Sequence, residues 1–246
     1  DLLLRPVTLE LGGKSASIIL PDANLEDFAA IMNRTCLRNT GQTCYNSTRI
    51  LAPRSIYGEV VDLVASTVAS TSIGDPFDAA TVYGPSASAR QRDTVEGYIQ
   101  IGKDEGARVV VGGGGKPEGI DRGFYVKPTV FADVDNQMRI AQEEIFGPVL
   151  AVTTFKTVAE AIHLANDTEY GLAASVWTKD ISRAHKVARE VRAGTVWVNT
   201  FDVADIIVPF GGFKSSGFGR DRSLHALDAY TALKTTWINL GSQEIS

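Results

Sequence analysis

Apolar residues fall along this chain in two alternating periods. Short runs rich in β-branched residues recur at 6–10, 16–20, 47–52, 107–111, 149–155, 173–178 and 195–199, each of a length suited to a buried strand. Between most of them the spacing changes to that of a helix. Asn24 is a fitting N-cap, with acidic Glu26 and Asp27 in the first turn and an apolar stripe of Leu25, Phe28, Met32 and Cys36, so a helix is predicted to end near Arg38. A second helix is predicted over 54–71, with Tyr57, Val60, Val61, Val64 and Val68 on one face. Thr157 and Glu160 form a capping box before Ala161, Ile162 and Ala165, and Asp180 caps a helix carrying Ile181, Ala184, Val187 and Val191.

Strand, helix, strand at this pitch predicts an α/β fold with three layers, helix on both faces of a mainly parallel sheet, because parallel neighbours need a crossover that is usually helical. Two stretches fall outside the alternation. One is the Gly-dense run from Pro209 to Arg220. The other, 230–240 (YTALKTTWINL), reads as a strand that comes too late for the repeat and is expected to pair with another chain. A division follows, with 1–228 as the main α/β domain and 229–246 as a strand and tail for oligomerisation.

Composition narrows the function classes. Of 246 residues, 44% are hydrophobic and 22% charged, as in ordinary globular chains, and the net charge of −5 offers no basic excess with which to neutralise a phosphate backbone. A nucleic-acid partner is not expected. Nor is a membrane span, since no apolar run approaches the ~20 residues required. The opening lacks the features of a signal peptide, and it starts without Met close to a strand, so the chain is expected to be a piece of a larger fold in a reducing, cytoplasmic setting. Two cysteines, Cys36 and Cys44, are too few for a disulfide scaffold and lack zinc-site spacing.

Several residues could carry chemistry. Cys44 lies in a polar loop between a helix and a strand, where Gly41 permits a tight turn and a thiol can be exposed as a nucleophile. It could equally be a small buried hydrophobe, which is the natural reading of Cys36. Glu10 closes an apolar strand just before Gly12 and Gly13, at a strand end where α/β folds usually open a cleft; it is either a general base or a surface carboxylate. Glu143 and Glu144 are adjacent and point to opposite sides in extended backbone, so at most one serves a site. VVVGGGG at 109–115 is followed by no helix signal and reads as a turn; PFGGFKSSGFGRD reads as a closely packed loop or an anion cradle. His163, His185 and His225 read as surface residues on helices.

Taken together, TLELGGKS at 8–15, NTGQTC at 39–44, EEIFGPV at 143–149 and PFGGFKSSGFGRD at 209–221, with Asn199 after the VWV strand, resemble the NAD(P)-dependent aldehyde dehydrogenase superfamily in order and spacing. The resemblance covers the chain almost end to end. It implies that Cys44 is the nucleophile, passing through a thiohemiacetal and a thioester, and that Glu10 activates the hydrolytic water. It further implies that Glu144, Phe146 and Gly12 contact NAD or NADP, and that the backbone N–H of Cys44 donates to an oxyanion. Retention of Glu10 separates the chain from the coenzyme A-acylating branch, which generally lacks a glutamate there. Thr43, Tyr45 and Leu37 depart from the commonest pattern beside the nucleophile and are expected to shape the substrate tunnel.

By the same resemblance, the cofactor-binding half of the family precedes this chain, so the 246 residues alone are expected to lack dehydrogenase activity. The substrate implied is a small-molecule aldehyde. The assembly implied is a homo-oligomer joined through the C-terminal strand. Two other readings remain at this stage: cofactor-independent thiol esterase action by Cys44 and Glu10, or a non-catalytic assembly module.

Overall fold

The computed structural model describes residues 6–241. In chain order the elements are β1 (Leu9–Glu10), β2 (Ala16–Ile19), α1 (Leu25–Cys36), β3 (Arg49–Pro53), α2 (Tyr57–Ala69), α3 (Ala89–Asp104), β4 (Arg108–Val111), β5 (Thr129–Ala132) and α4 (Arg139–Gln142). They continue with β6 (Val149–Phe155), α5 (Val158–Asn166), β7 (Tyr170–Gly171), β8 (Ala173–Trp177), α6 (Ile181–Glu190), β9 (Thr195–Val198), β10 (Phe213–Lys214) and β11 (Gly217–Phe218). Short 3₁₀ turns occupy Arg54–Ile56 and Leu224–Ala229.

Seven strands form one sheet in the order β4-β5-β6-β3-β2-β8-β9. Every neighbouring pair is parallel except the edge pair β4–β5. The α/β class with a mainly parallel sheet is therefore the observed one. Alternation along each strand divides the core. Ile19, Ile50, Ala52, Val130, Leu150 and Val152 face α1 and α2, whereas Ile18, Leu51 and Val176 pack with α5 and α6, and Phe131 and Ala151 with α3 and α4. Burying each of the Val, Leu, Ile and Phe side chains among these contributes roughly 1.5–3 kcal/mol. Trp177 ties the sheet to α1: its ring meets Phe28 edge-on at 5.2 Å, and its indole N–H donates to Ser17 and Ser175 at 3.1 and 3.2 Å.

The predicted caps form as expected. Asn24 accepts from Glu26 N, Thr157 from Glu160 N, and Asp180 from Ser182 N and Arg183 N.

Three expectations change. The strand expected over 6–10 reduces to β1, which leaves the main sheet and pairs antiparallel with β11. β5 and α3 were not anticipated. β5 is only four residues long, next to Pro128, and α3 buries only Val95, Ile99 and Gly102, too thin a stripe for a clear helical period. In the single chain, 230–240 forms no strand: it has no neighbour to bond with, and Leu233, Trp237, Ile238 and Leu240 stand exposed.

Candidate active site

The loops that open β2, β3, β6 and β8 meet at one edge of the sheet, the edge where these parallel strands begin. This is the reverse of the usual arrangement in open α/β sheets, where the cleft lies beyond the carboxyl ends. Glu10, expected at a cleft of that usual kind, instead precedes β2 on the amino side.

The loop after α1 is braced from several directions. Gly41 N donates to Leu37 O and Arg38 O at 3.2 and 3.1 Å, Asn46 Nδ2 to Arg38 O at 3.0 Å, Asn46 N to Thr43 O at 3.1 Å and Ser47 N to Thr35 O at 3.0 Å. Gln42 Nε2 reaches across to Pro85 O at 3.2 Å. At the apex Cys44 is half-buried, whereas Cys36 lies wholly inside the core on α1. Burial pushes the Cys44 thiol above its ordinary value, the negative charges of Glu144 and Glu10 push it further, and the backbone N–H groups of Cys44 and Tyr45 pull it partly back. Both carboxylates therefore act on the same sulfur.

Glu10 is exposed on β1, opposite Gly217. Partial burial raises its pKa and Asp221 adds to the rise, while Arg220 and Arg222 work against it.

Glu143 and Glu144 part as extended backbone requires. Glu143 turns outward, where both its oxygens are taken by Arg139, at 2.6 and 2.9 Å, and one also by the Tyr98 hydroxyl at 2.7 Å. Glu144 turns inward, and its Oε1 accepts from Gly13 N at 3.2 Å. Its Oε2 lies 2.3 Å from where a Cβ on Gly12 would be, so only glycine at position 12 leaves room for the carboxylate. Among the described residues no protein donor reaches Oε2. Desolvation raises the Glu144 pKa, against the Gly13 N–H and the Lys14 charge. Gly13 in turn presses on the thiol loop, since a Cβ there would lie 2.5 Å from Cys44 O.

Phe146 sits at φ 54°, a backbone region unfavourable for a bulky side chain, and the residue is 39% exposed beside this edge. Gln91 Nε2 holds that turn by donating to Ile145 O and Phe146 O at 3.0 and 2.9 Å.

Sequence reasoning missed the aromatic group behind the thiol loop. Tyr45 packs against Trp197, Phe201 and Phe210 with ring centroids 6.0–6.2 Å away, and its hydroxyl donates to Asp202 at 2.9 Å. Arg38 bonds to both the Tyr45 hydroxyl and Asp202. Lys14, Arg49 and Asp221 were missed as well, although Lys14 and Asp221 lie inside quoted motifs. Asn199, by contrast, stands at the opposite sheet edge, where it clasps Thr178 N and Thr178 O at 2.8 and 2.7 Å.

The two Gly-rich runs build no phosphate loop. After 109–115 the next helix begins only at Arg139, and 209–220 is spent on pairing β10 with β7 and β11 with β1. Among the described residues no cluster suits a metal ion, and no helix is long and apolar enough to cross a membrane.

A half-exposed thiol flanked by two carboxylates of raised pKa suits acyl or aldehyde chemistry, and comparison with known proteins bears directly on which. The profile of the aldehyde dehydrogenase family matches residues 2–236. The chain belongs to the aldehyde dehydrogenase family. It is 50% identical over 236 residues to the geranial dehydrogenase of Castellaniella defragrans, covering 96% of this chain and 48% of that protein. It is 47% identical over 242 residues to the betaine aldehyde dehydrogenase of Sinorhizobium fredii, covering 98% and 50%. The structure of a Mycobacterium tuberculosis aldehyde dehydrogenase complexed with NAD+ superposes with a TM-score of 0.93 at 50% identity, over 98% of this chain and 49% of that one. This chain thus spans about half the length of the aldehyde dehydrogenases it matches.

Proposed function

We propose that this chain supplies the thiol-bearing half of an NAD(P)-dependent aldehyde oxidation that yields a carboxylic acid. The observation that carries the reading is the packing of the half-buried Cys44 loop and the Glu144 carboxylate on the same Gly12–Gly13 backbone, just after Glu10, at one sheet edge. Cys44 gives up its thiol proton to solvent as the sulfur adds to the aldehyde carbon, leaving a thiohemiacetal oxyanion that meets the Cys44 backbone N–H. When bound, NAD or NADP accepts the hydride that leaves this carbon. Glu10 then takes a proton from water as the oxygen attacks the resulting thioester, releasing the acid and the free thiol. Its raised pKa makes it a stronger base than an ordinary carboxylate.

Glu144, Phe146 and Gly12 are the residues that would hold the cofactor. The carboxylate Oε2, with no donor from the described protein, fits a ribose hydroxyl, and Gly12 keeps the approach open. Because neither Gly-rich run meets a helix N-terminus, we further propose that the 246 residues alone do not turn over aldehyde. A reducing compartment such as the cytoplasm suits two free thiols. The exposed Leu233, Trp237, Ile238 and Leu240 are proposed to be covered by a second copy of the chain.

The test is thiol labelling of the purified chain. Iodoacetamide is expected to modify Cys44 and leave Cys36 intact in the folded state, with prior incubation in an aldehyde slowing the reaction. Equal inertness of both cysteines would overturn the reading. A measured NAD(P)-dependent turnover by the 246-residue chain would refute the proposed lack of activity.

A further inference from the structure

Lys14 and Arg49 bring two positive charges into the interior close together, at 2% and 1% exposure, and the proposed chemistry gives neither a task. Arg49 spends four of its five N–H groups: Nε donates to Lys14 O at 2.9 Å, Nη1 to Asn136 Oδ1 and Leu164 O at 3.1 and 3.0 Å, and Nη2 to Ala165 O at 3.0 Å. One N–H on Nη2 is left over. Among the described residues no hydrogen bond reaches the Lys14 ammonium, and the buried hydroxyl of the next residue, Ser15, has no partner either.

These three residues line one narrow pocket, together with Thr168, Tyr170 and the exposed Arg192, at the edge where β2, β3 and β8 begin. Among the described residues no carboxylate lines it. Glu144 and Glu143 attract the Lys14 charge from outside the pocket, each bonded elsewhere, Glu144 to Gly13 N and Glu143 to Arg139 and Tyr98. Asp167 attracts Arg49 in the same way while accepting from Asn136 and Gln137. Lys214 adds positive charge nearby, its ammonium donating to Asn166 O and Thr168 O. Desolvation, aided by Arg49, therefore brings the Lys14 pKa down to about 7 against the pull of the two glutamates. The free space, about 10 Å³ for the centre of a water-sized body, holds one small occupant.

We propose that this pocket is a binding site for one small monovalent anion of halide size, held by the Lys14 ammonium, the Ser15 hydroxyl and the spare Arg49 N–H. Buried charges persist where they are paired, and an ion that only accepts hydrogen bonds satisfies all the unspent donors at once. A water molecule would accept from the same donors yet leave both buried positive charges uncompensated. The ion touches none of Cys44, Glu10 or Glu144, so its binding is independent of the aldehyde chemistry proposed above.

The experiment follows urea unfolding of the wild-type chain, Lys14→Met and Ser15→Ala at pH 6, where Lys14 carries its charge, as sodium chloride replaces sodium acetate at constant ionic strength. Acetate is too large for the pocket and serves as the control. With chloride at ten times its dissociation constant, the folded-to-unfolded ratio of the wild-type chain is expected to rise about tenfold over that in acetate. Ser15→Ala should need several times more chloride for the same gain, and Lys14→Met should not distinguish the two salts. Equal gains in all three chains, or none in the wild type, would overturn the proposal.

Should Lys14→Met fail to fold, crystals of the wild-type chain grown in sodium bromide take its place. An anomalous peak in the pocket beside Lys14 Nζ and Ser15 Oγ is expected. A pocket holding water alone would overturn the proposal, as would bromide there without any chloride effect on unfolding, which marks an adventitious ion only.

Discussion

Gly41 and Gly147 meet backbone to backbone, so closely that a Cβ on Gly41 would lie 2.0 Å from the carbonyl oxygen of Gly147. The contact locks the loop that carries Cys44 to the turn that carries Glu144 and Phe146, and Gly41 also needs its φ of +77°. Gly41→Ala is therefore expected to destabilise the chain by about 2–4 kcal/mol through backbone strain and forced separation of the two loops. Urea unfolding measures the loss. Retention of wild-type stability would show that the loops can part freely.

Asp22 staples the entry of α1 to that of α6, accepting from Thr178 Oγ1 at 2.8 and 2.9 Å, from Lys179 N at 2.9 Å and from Asp180 N at 3.1 Å. Burial works to raise its pKa, but the bonds from Thr178 and the backbone outweigh it and hold the group below its ordinary value. The folded value being depressed, the contribution is present above the unfolded pKa of about 3.9 and disappears as pH falls through the lower folded value. Asp22→Asn should cost about 1–2 kcal/mol at pH 7, allowing for partial solvent screening. Paired denaturant titrations should show the gap closing in acid, and a gap that persists there would contradict the assignment.

Asp221 stands behind Glu10 and, after desolvation, is the chief cause of its raised pKa. Asp221→Asn removes one negative neighbour, so Glu10 should ionise at lower pH. If acyl-Cys44 formed from an activated ester is hydrolysed with Glu10 as base, the acid limb of its pH profile should shift downward in this variant. Mass spectrometry of the acylated chain follows the decay, and an upward shift would be the wrong sign.

The depressed Lys14 pKa, about 7 against an ordinary 10.5, also makes a statement about stability. Between those values the unfolded chain carries a proton that the folded chain lacks, so folding becomes more favourable as pH rises through the window, while below 7 the full cost of the buried charge is felt. Compared with Lys14→Met, the wild-type chain should gain a few kcal/mol between pH 6 and pH 10. Chemical denaturation at the two pH values tests this; a constant difference would rule out the shift.

What could be read from the residues was mostly local. Asn24, Thr157 and Asp180 cap their helices through bonds spanning two or three residues, and such signals survive whatever the rest of the chain does. β5 and α3 failed to announce themselves because their burial is decided by distant partners: Phe131 of β5 packs on Gly102 of α3, and Val95 is pressed against Gly147. Cys44, Glu10 and Glu144 were visible because each sits in a short motif. Their shared edge was not, since it depends on strand order, and Asp221 gave no sign of its influence on Glu10 until the loops were folded together. The segment 230–240 shows the opposite failure: a strand-like pattern gains no strand without a neighbour.

The groups gathered where the strands begin share one tendency. Burial makes Cys44, Glu10 and Glu144 all harder to ionise than their isolated counterparts. A positively charged ring arriving there would cheapen all three ionisations at once, through ordinary Coulomb attraction in a poorly screened pocket. Sulfur kept as thiol until then is also sulfur spared from oxidation.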